Sequence, residues 1–118
     1  MKIDVWQKVW ENYQFDPKND SWELNWEKSQ PRWKLALQYF QEKWGGLKNR
    51  TVVELGCGRA TEALLAAREG SKVTLVDNNK TALYLAKQRF EHFGLGNTLQ
   101  LIQSDVLNLD KKILGKFD

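Results

Sequence analysis

Cysteine, histidine and proline are scarce: the 118 residues include one cysteine, one histidine and two prolines. Cys57 alone cannot build an internal disulfide framework or a Cys-based zinc cluster, so a reducing, cytoplasmic setting is the default. His92 has no Cys or His cluster around it in sequence, which leaves a metal site unsupported. Its place late on a predicted helix, beside Phe93, gives it a surface or cap role. No apolar run approaches the ~20 residues that span a bilayer. The N-terminus, MKIDVWQK, lacks the apolar core of a signal peptide, so nothing in it points to secretion. Charge of one sign is also missing. The net charge of +3 is spread along the chain, and the one basic cluster, Lys111, Lys112 and Lys116, reads as a solvated helix face rather than a nucleic-acid footprint. Internal repeats and low-complexity stretches are absent. What remains is an ordinary globular composition, 42% hydrophobic and 28% charged, of a length that suits one domain with a modest core.

The unusual abundance is tryptophan, six residues, all within the first 44. Residues 1–50 read as a helical lead-in. Ile3, Trp6, Trp10 and Tyr13 recur at three- and four-residue steps, which places them on one helix face. Phe15-Asp16-Pro17 and Asn19-Asp20 break that helix. Asp20 with Glu23 fits a capping box for a second helix carrying Trp22 and Trp26. Pro31 suits the first turn of a third helix, with a stripe of Trp33, Leu37, Phe40 and Trp44 that Gly45-Gly46 ends. Packing against a neighbouring sheet is the commoner role for such aromatics; a pocket roof or a cation–π contact is the sharper alternative.

From Thr51 the period changes. Thr51 to Leu55 forms a strand, and the stretch VVELGCGRAT turns it sharply into a helix. Gly56 and Gly58 suit positive φ, or a ligand that approaches where no Cβ stands. Thr61 to Glu69 reads as a helix closed by Gly70, and Lys72 to Val76 as a strand that ends at Asp77. Asn79 caps a helix from Lys80 to Phe93 with Leu83, Ala86 and Phe90 on one face. Leu99 to Gln103 is a third strand, followed by Ser104-Asp105 and a short helix over Val106 to Leu114. Alternating strands and helices imply an α/β fold, a Rossmann-like parallel sheet with flanking helices and right-handed crossovers.

Three acids then fall at strand ends. Glu54 lies two residues before Gly56, Asp77 ends the second strand and Asp105 follows the third. The carboxyl ends of parallel strands share one edge, so all three can line one crevice. With these residues the stretch from Thr51 to Asp118 resembles the class I S-adenosylmethionine-dependent methyltransferases. Their glycine motif, an acid, any residue, then Gly-x-Gly-x-Gly, is matched by Glu54, Gly56 and Gly58, with Ala60 in the last glycine position. Their acids after strands two and three match Asp77 and Asp105.

The resemblance implies S-adenosyl-L-methionine as cofactor and methyl transfer to an unidentified acceptor. It implies a cofactor site made of Glu54, Gly56, Cys57, Gly58, Asp77, Asn78, Asp105 and Val106, with no metal. Asp77 would accept from the ribose hydroxyls and Asp105 from the adenine amino group, while the Val106 amide donates to the ring. Gly56 and Gly58 reach the methionine end, and Glu54 lies near its cationic side. Cys57 itself reads as a small packing residue, since no nearby histidine or asparagine would activate it. Arg59 is divided between a ligand carboxylate and plain solvent exposure. A dinucleotide such as NAD is the rival ligand, but its pyrophosphate would meet Glu54, and Thr61 stands where the third dinucleotide-motif glycine belongs. A partner module that binds the cofactor without catalysis is the other alternative.

The family's sheet has seven strands, and the sequence supplies the first three, with Lys116-Phe117-Asp118 as the opening of a fourth. The expected organisation is therefore a helical cap over residues 1–50 and the first half of a methyltransferase domain over 51–118. Alone, this half is expected to be inactive and to self-associate through the exposed edge of strand one.

Overall fold

The computed structural model describes residues 5–13, 15–109 and 117. Three helices, α1 (Val5–Glu11), α2 (Pro17–Ser29) and α3 (Pro31–Trp44), precede the alternating units β1 (Thr51–Leu55), α4 (Thr61–Arg68), β2 (Lys72–Asp77), α5 (Lys80–His92) and β3 (Leu99–Gln103). All three strands are parallel, in the order β1-β2-β3. Thr51 pairs with Lys72 and Leu55 with Val76 across the first ladder, and Val73 pairs with Leu99 and Asp77 with Gln103 across the second. This is the expected α/β arrangement, and it brings the C-terminal ends of the strands to one edge.

The middle strand is buried on both faces, from Val73 to Val76. Its neighbours are only half-buried, and Leu55 at the end of β1 is exposed. Ala63 to Ala67 of α4 and Leu83, Ala86 and Phe90 of α5 close the main core with Leu24 and Trp33 from the lead-in. Small side chains on α4 allow it to lie close to the sheet, so the apolar area removed from water is contiguous. A second cluster sets Trp10 of α1 against Ala82 and Leu85, flanked by Tyr13 and Phe15.

The lead-in departs from its expected layout at α2. That helix opens at Pro17, with Asp16 as its cap; the Lys18 amide donates to Asp16 Oδ1 at 3.1 Å. Proline presets φ and has no amide to leave unpaired, so it takes the first helical position. Asp20 is consequently inside the helix and buried, and the Asp20–Glu23 capping box does not form. Trp22 and Trp26 are 64% and 49% exposed, so packing explains Trp10 and Trp33 but not this pair. Helix α3 behaves as expected: Pro31 opens it and Gly45, at φ 74°, ends it while Gly46 donates back to the Phe40 carbonyl. Ile3 lies outside the described residues.

Beyond β3, Val106–Asn108 form a single 3-10 turn and Leu109 is extended. The helix expected over Val106 to Leu114 therefore does not run through Leu109; residues 110–116 lie outside the described residues. Asp105 caps this turn by accepting the Leu107 amide at 3.0 Å.

Candidate functional site

The corner between β1 and α4 is held by the neighbouring strand. The Gly56 and Cys57 amides both donate to the Val76 carbonyl, at 2.8 and 3.3 Å, which extends the β1–β2 pairing past the end of β1. Gly56 and Gly58 then adopt φ of 66° and 51°, and Ala60 adopts 58°. Left-handed backbone costs an L-residue roughly 1–2 kcal/mol, so the alanine carries strain the glycines avoid. Ala60 is buried as the N-cap of α4 and makes no side-chain cap. A Cβ built on Gly56 meets no heavy atom within 4 Å, whereas one on Gly58 meets the Trp10 ring at 3.4 Å.

Asp77 ends β2 directly beside this loop. Its Oδ2 accepts the Gly58 amide at 3.2 Å and lies 3.9 Å from the Cys57 sulfur; its Oδ1 accepts the Asn79 amide at 2.8 Å. A carboxylate has about four lone-pair sites, so acceptor capacity remains on both oxygens. Asn79 is buried, caps α5 through the Ala82 amide at 2.9 Å, and donates from Nδ2 to Gln7 Oε1 of α1 at 2.6 Å. Asn78, the residue singled out from sequence, is exposed at the rim, and its carbonyl accepts from Gln103 at 3.4 Å. The Ser104 amide donates to the Asp77 carbonyl at 3.1 Å, which ties the end of β3 to the same edge. Asp105 and Val106 follow it, both exposed.

Glu54 makes its hydrogen bond to the first turn of α4. It accepts the Ala63 amide, while its Oε2 is buried without a partner. Burial, reinforced by the nearby Glu62 charge, pushes its carboxyl up to about 7. It borders an apolar hollow of about 360 Å³ with Trp33, Phe40, Trp44, Val52 and Phe117. Cys57 is 5% exposed, and burial followed by the Asp77 and Glu54 charges pushes its thiol up to about 12. A thiol held neutral in this way is a packing group, as its sequence context implied.

Arg59 is not plainly solvent-exposed: its side chain is 29% exposed and already paired. Its Nη2 donates to Asp20 Oδ1 at 3.0 Å and pairs with Glu23, and the guanidinium lies 4.8 Å over the Tyr13 ring. Two carboxylates of α2 thus compete with any ligand for it. The sequence reading gave Asp20 only a capping role and missed Arg89 altogether. Arg89 is 0% exposed on α5 and its Nε donates to Asp20. A signal existed: Arg89 follows Ala86 by three residues and Leu85 by four, so a charge sat in the apolar stripe. His92 is exposed, edge-on to Phe15 and Phe93 at 5.6 and 4.8 Å. Among the described residues no group of three His, Cys, Asp or Glu is placed to hold a metal ion, and no helix is long and apolar enough to cross a membrane.

A strand–glycine corner–helix with acids at consecutive strand ends is what one family pattern, described as "Methyltransferase domain", matches over residues 47–118. The chain belongs to the methyltransferase domain family. Residues 47–118 hold the corner glycines and the acids Glu54, Asp77 and Asp105, while α1, α2 and α3 precede the matched stretch. Over 70 residues the chain is 37% identical to a probable cobalt-precorrin-6B C(15)-methyltransferase (decarboxylating) of Pyrobaculum aerophilum, covering 57% of this chain and 36% of that protein. It is 40% identical over 72 residues to a ubiquinone biosynthesis O-methyltransferase of Vibrio cholerae, covering 61% of this chain and 29% of that protein. The chain therefore spans about a third of the length of these curated relatives. Among solved structures, the N-terminal domain of EvdMO1 with SAH bound superposes with a TM-score of 0.58 at 27% identity, over 70% of this chain and 34% of that one. PKMT2 from Rickettsia typhi, in complex with AdoHcy, gives 0.53 at 31% identity over 61% and 14%. This methyltransferase domain is thus similar to proteins of diverse names, and the likeness does not choose an acceptor.

Proposed function

We propose that the chain binds S-adenosyl-L-methionine at the β1–α4 corner and forms the cofactor side of a methyltransferase whose acceptor is unidentified. The observation that carries the reading is Asp77, a strand-end carboxylate fastened to the glycine loop with acceptor capacity to spare. The residues fit the cofactor in three respects. A Cβ at Gly56 would meet nothing within 4 Å, so backbone there is open to close approach. Asp77 can accept from a vicinal diol. Glu54 has a buried oxygen with no partner, suited to a cationic group directly or through water. When bound, the cofactor supplies a methyl group activated by a positive sulfur.

This chain's own residues bind and orient. Asp77 takes the ribose, and Gly56, Cys57 and Gly58 line the path to the methionine end through their backbone. Asn78, Asp105 and Val106 stand at the adenine side, where the Val106 amide and the Asp105 carboxylate offer one donor and one acceptor. In-line displacement draws much of its acceleration from such positioning. The EvdMO1 domain and PKMT2, each described with the demethylated product, support the choice of ligand.

Residues 1–50 form a helical cap in this reading and 51–118 the cofactor half, which alone turns nothing over. The single free Cys57 suits a reducing, cytoplasmic compartment. The edge of β1 is the surface through which copies associate. Calorimetry with S-adenosylhomocysteine and NAD on one preparation tests the central claim: binding of the first is expected, and NAD binding without response to the first would overturn it.

A further inference from the structure

One carboxylate of the lead-in reaches the loop that the family shares. Asp20, on α2 and outside the matched stretch, is 1% exposed. It accepts from the Tyr13 hydroxyl at 3.3 Å, from Arg59 Nη2 at 3.0 Å and from Arg89 Nε. Arg89 then turns its other arm to the corner: Nη1 donates to the Arg59 carbonyl at 2.6 Å and to Thr61 Oγ1 at 3.0 Å. That carbonyl lies between Gly58 and Ala60, both at positive φ. The loop closes a turn of its own from the Ala60 amide to the Cys57 carbonyl at 2.8 Å, while Arg89 supplies the donor that meets the Arg59 carbonyl. Among the described residues Asp20 is the only carboxylate paired with Arg89. A buried guanidinium that loses its one counter-ion must reopen to water or move, and either change releases the Arg59 carbonyl.

We propose that Asp20 is a positioning residue for the glycine corner. It fixes Arg89, which holds the Arg59 carbonyl and the Thr61 hydroxyl, so docking of the N-terminal helices sets the loop and its ligand affinity. The affinity half rests on the S-adenosylmethionine reading; the loop half stands on the contacts alone. The cap is then part of the site although none of its residues in this network needs to touch the ligand.

Hydrogen exchange of the full chain, with calorimetric titration of S-adenosylhomocysteine, tests it. In Asp20→Asn the amides from Gly58 to Thr61 should exchange roughly tenfold faster, with those of β2 unchanged, and affinity should fall roughly tenfold. Arg89→Lys should do the same, because an ammonium keeps the charge but not the fork. Leu24→Ala, a buried apolar change on the same helix that removes no hydrogen bond or ion pair of either arginine, should lower Tm and leave both readouts alone. If Asp20→Asn does not fold, Thr61→Val removes one of the two acceptors of Arg89 Nη1 and should still accelerate exchange several-fold at the corner. Unchanged corner exchange in the folded variants, or an equal acceleration in Leu24→Ala, would overturn the proposal. A wild-type chain that binds no S-adenosylhomocysteine would remove the affinity half together with the reading it rests on, and the exchange rates would still decide the loop half.

Discussion

The Asp77 carboxylate accepts the backbone amide of Gly58 across the gap between two parallel strands, at 3.2 Å. One residue therefore both shapes the glycine loop and presents acceptors beside it. Asp77→Ala should remove charge-assisted bonds worth about 1.5–3 kcal/mol, weakening S-adenosylhomocysteine roughly ten- to a hundredfold in calorimetry. Unchanged affinity in a variant with native circular dichroism would take Asp77 out of the site.

Gly56 separates the backbone role of the corner from its ligand role. Its φ of 66° makes Gly56→Ala cost about 1–2 kcal/mol in thermal or urea unfolding, from strain alone, because the new Cβ meets nothing within 4 Å. A ligand that approaches closely meets that Cβ, so affinity should fall by a larger factor than stability does. Equal, small losses in both would place the ligand elsewhere.

Glu54 gives the fold a pH dependence of a definite sign. With its carboxyl raised from 4.5 to about 7, the folded state favours the neutral acid. Its contribution is fully present below about 4.5 and is lost as pH rises through about 7, on the order of 3 kcal/mol. Glu54→Gln should flatten the stability curve over that window in urea titrations. A cationic ligand nearby should draw the proton off, so binding heats near pH 6.5 should vary with buffer ionisation enthalpy, and should not in Glu54→Gln.

Cys57 should be inert. With the thiol 5% exposed and pushed up to about 12, labelling by a disulfide reagent at pH 8 should wait for unfolding. Cys57→Ala is expected to keep ligand affinity within about twofold, since the proposed site uses only the backbone of this residue.

The β1 edge should bring copies together. Leu55 is 48% exposed, and Val52 borders the hollow lined by Trp33, Phe40 and Trp44. Sedimentation velocity of residues 1–118 should show association that grows with concentration, and Val53→Lys should reduce it. A monomer at all concentrations would exclude this edge as an interface.

Much of this was legible before any coordinates. The bounds of β1 and β3, the Asn79 cap and the Gly45 stop are local matters, set by periodicity, side-chain caps and positive φ, so residues a few positions apart suffice to infer them. Even the lead-in obeyed local rules where it was misread: Asp16-Pro17 is a stronger start signal than Asp20 with Glu23, and the proline decides between them.

By itself the sequence determined the alternation of strands and helices, the glycine corner and the acids at three strand ends, because each depends on neighbours within one turn or one strand. Only the tertiary structure decided what Asp20, Arg59 and Arg89 do. They are 39 and 69 residues from Asp20 along the chain, and no local pattern pairs charges over that distance. Their meeting follows from docking of α2 on α4 and α5: the Arg89 guanidinium, taken out of water beside the partly exposed Arg59, must find a carboxylate there, and the one that reaches both belongs to the cap.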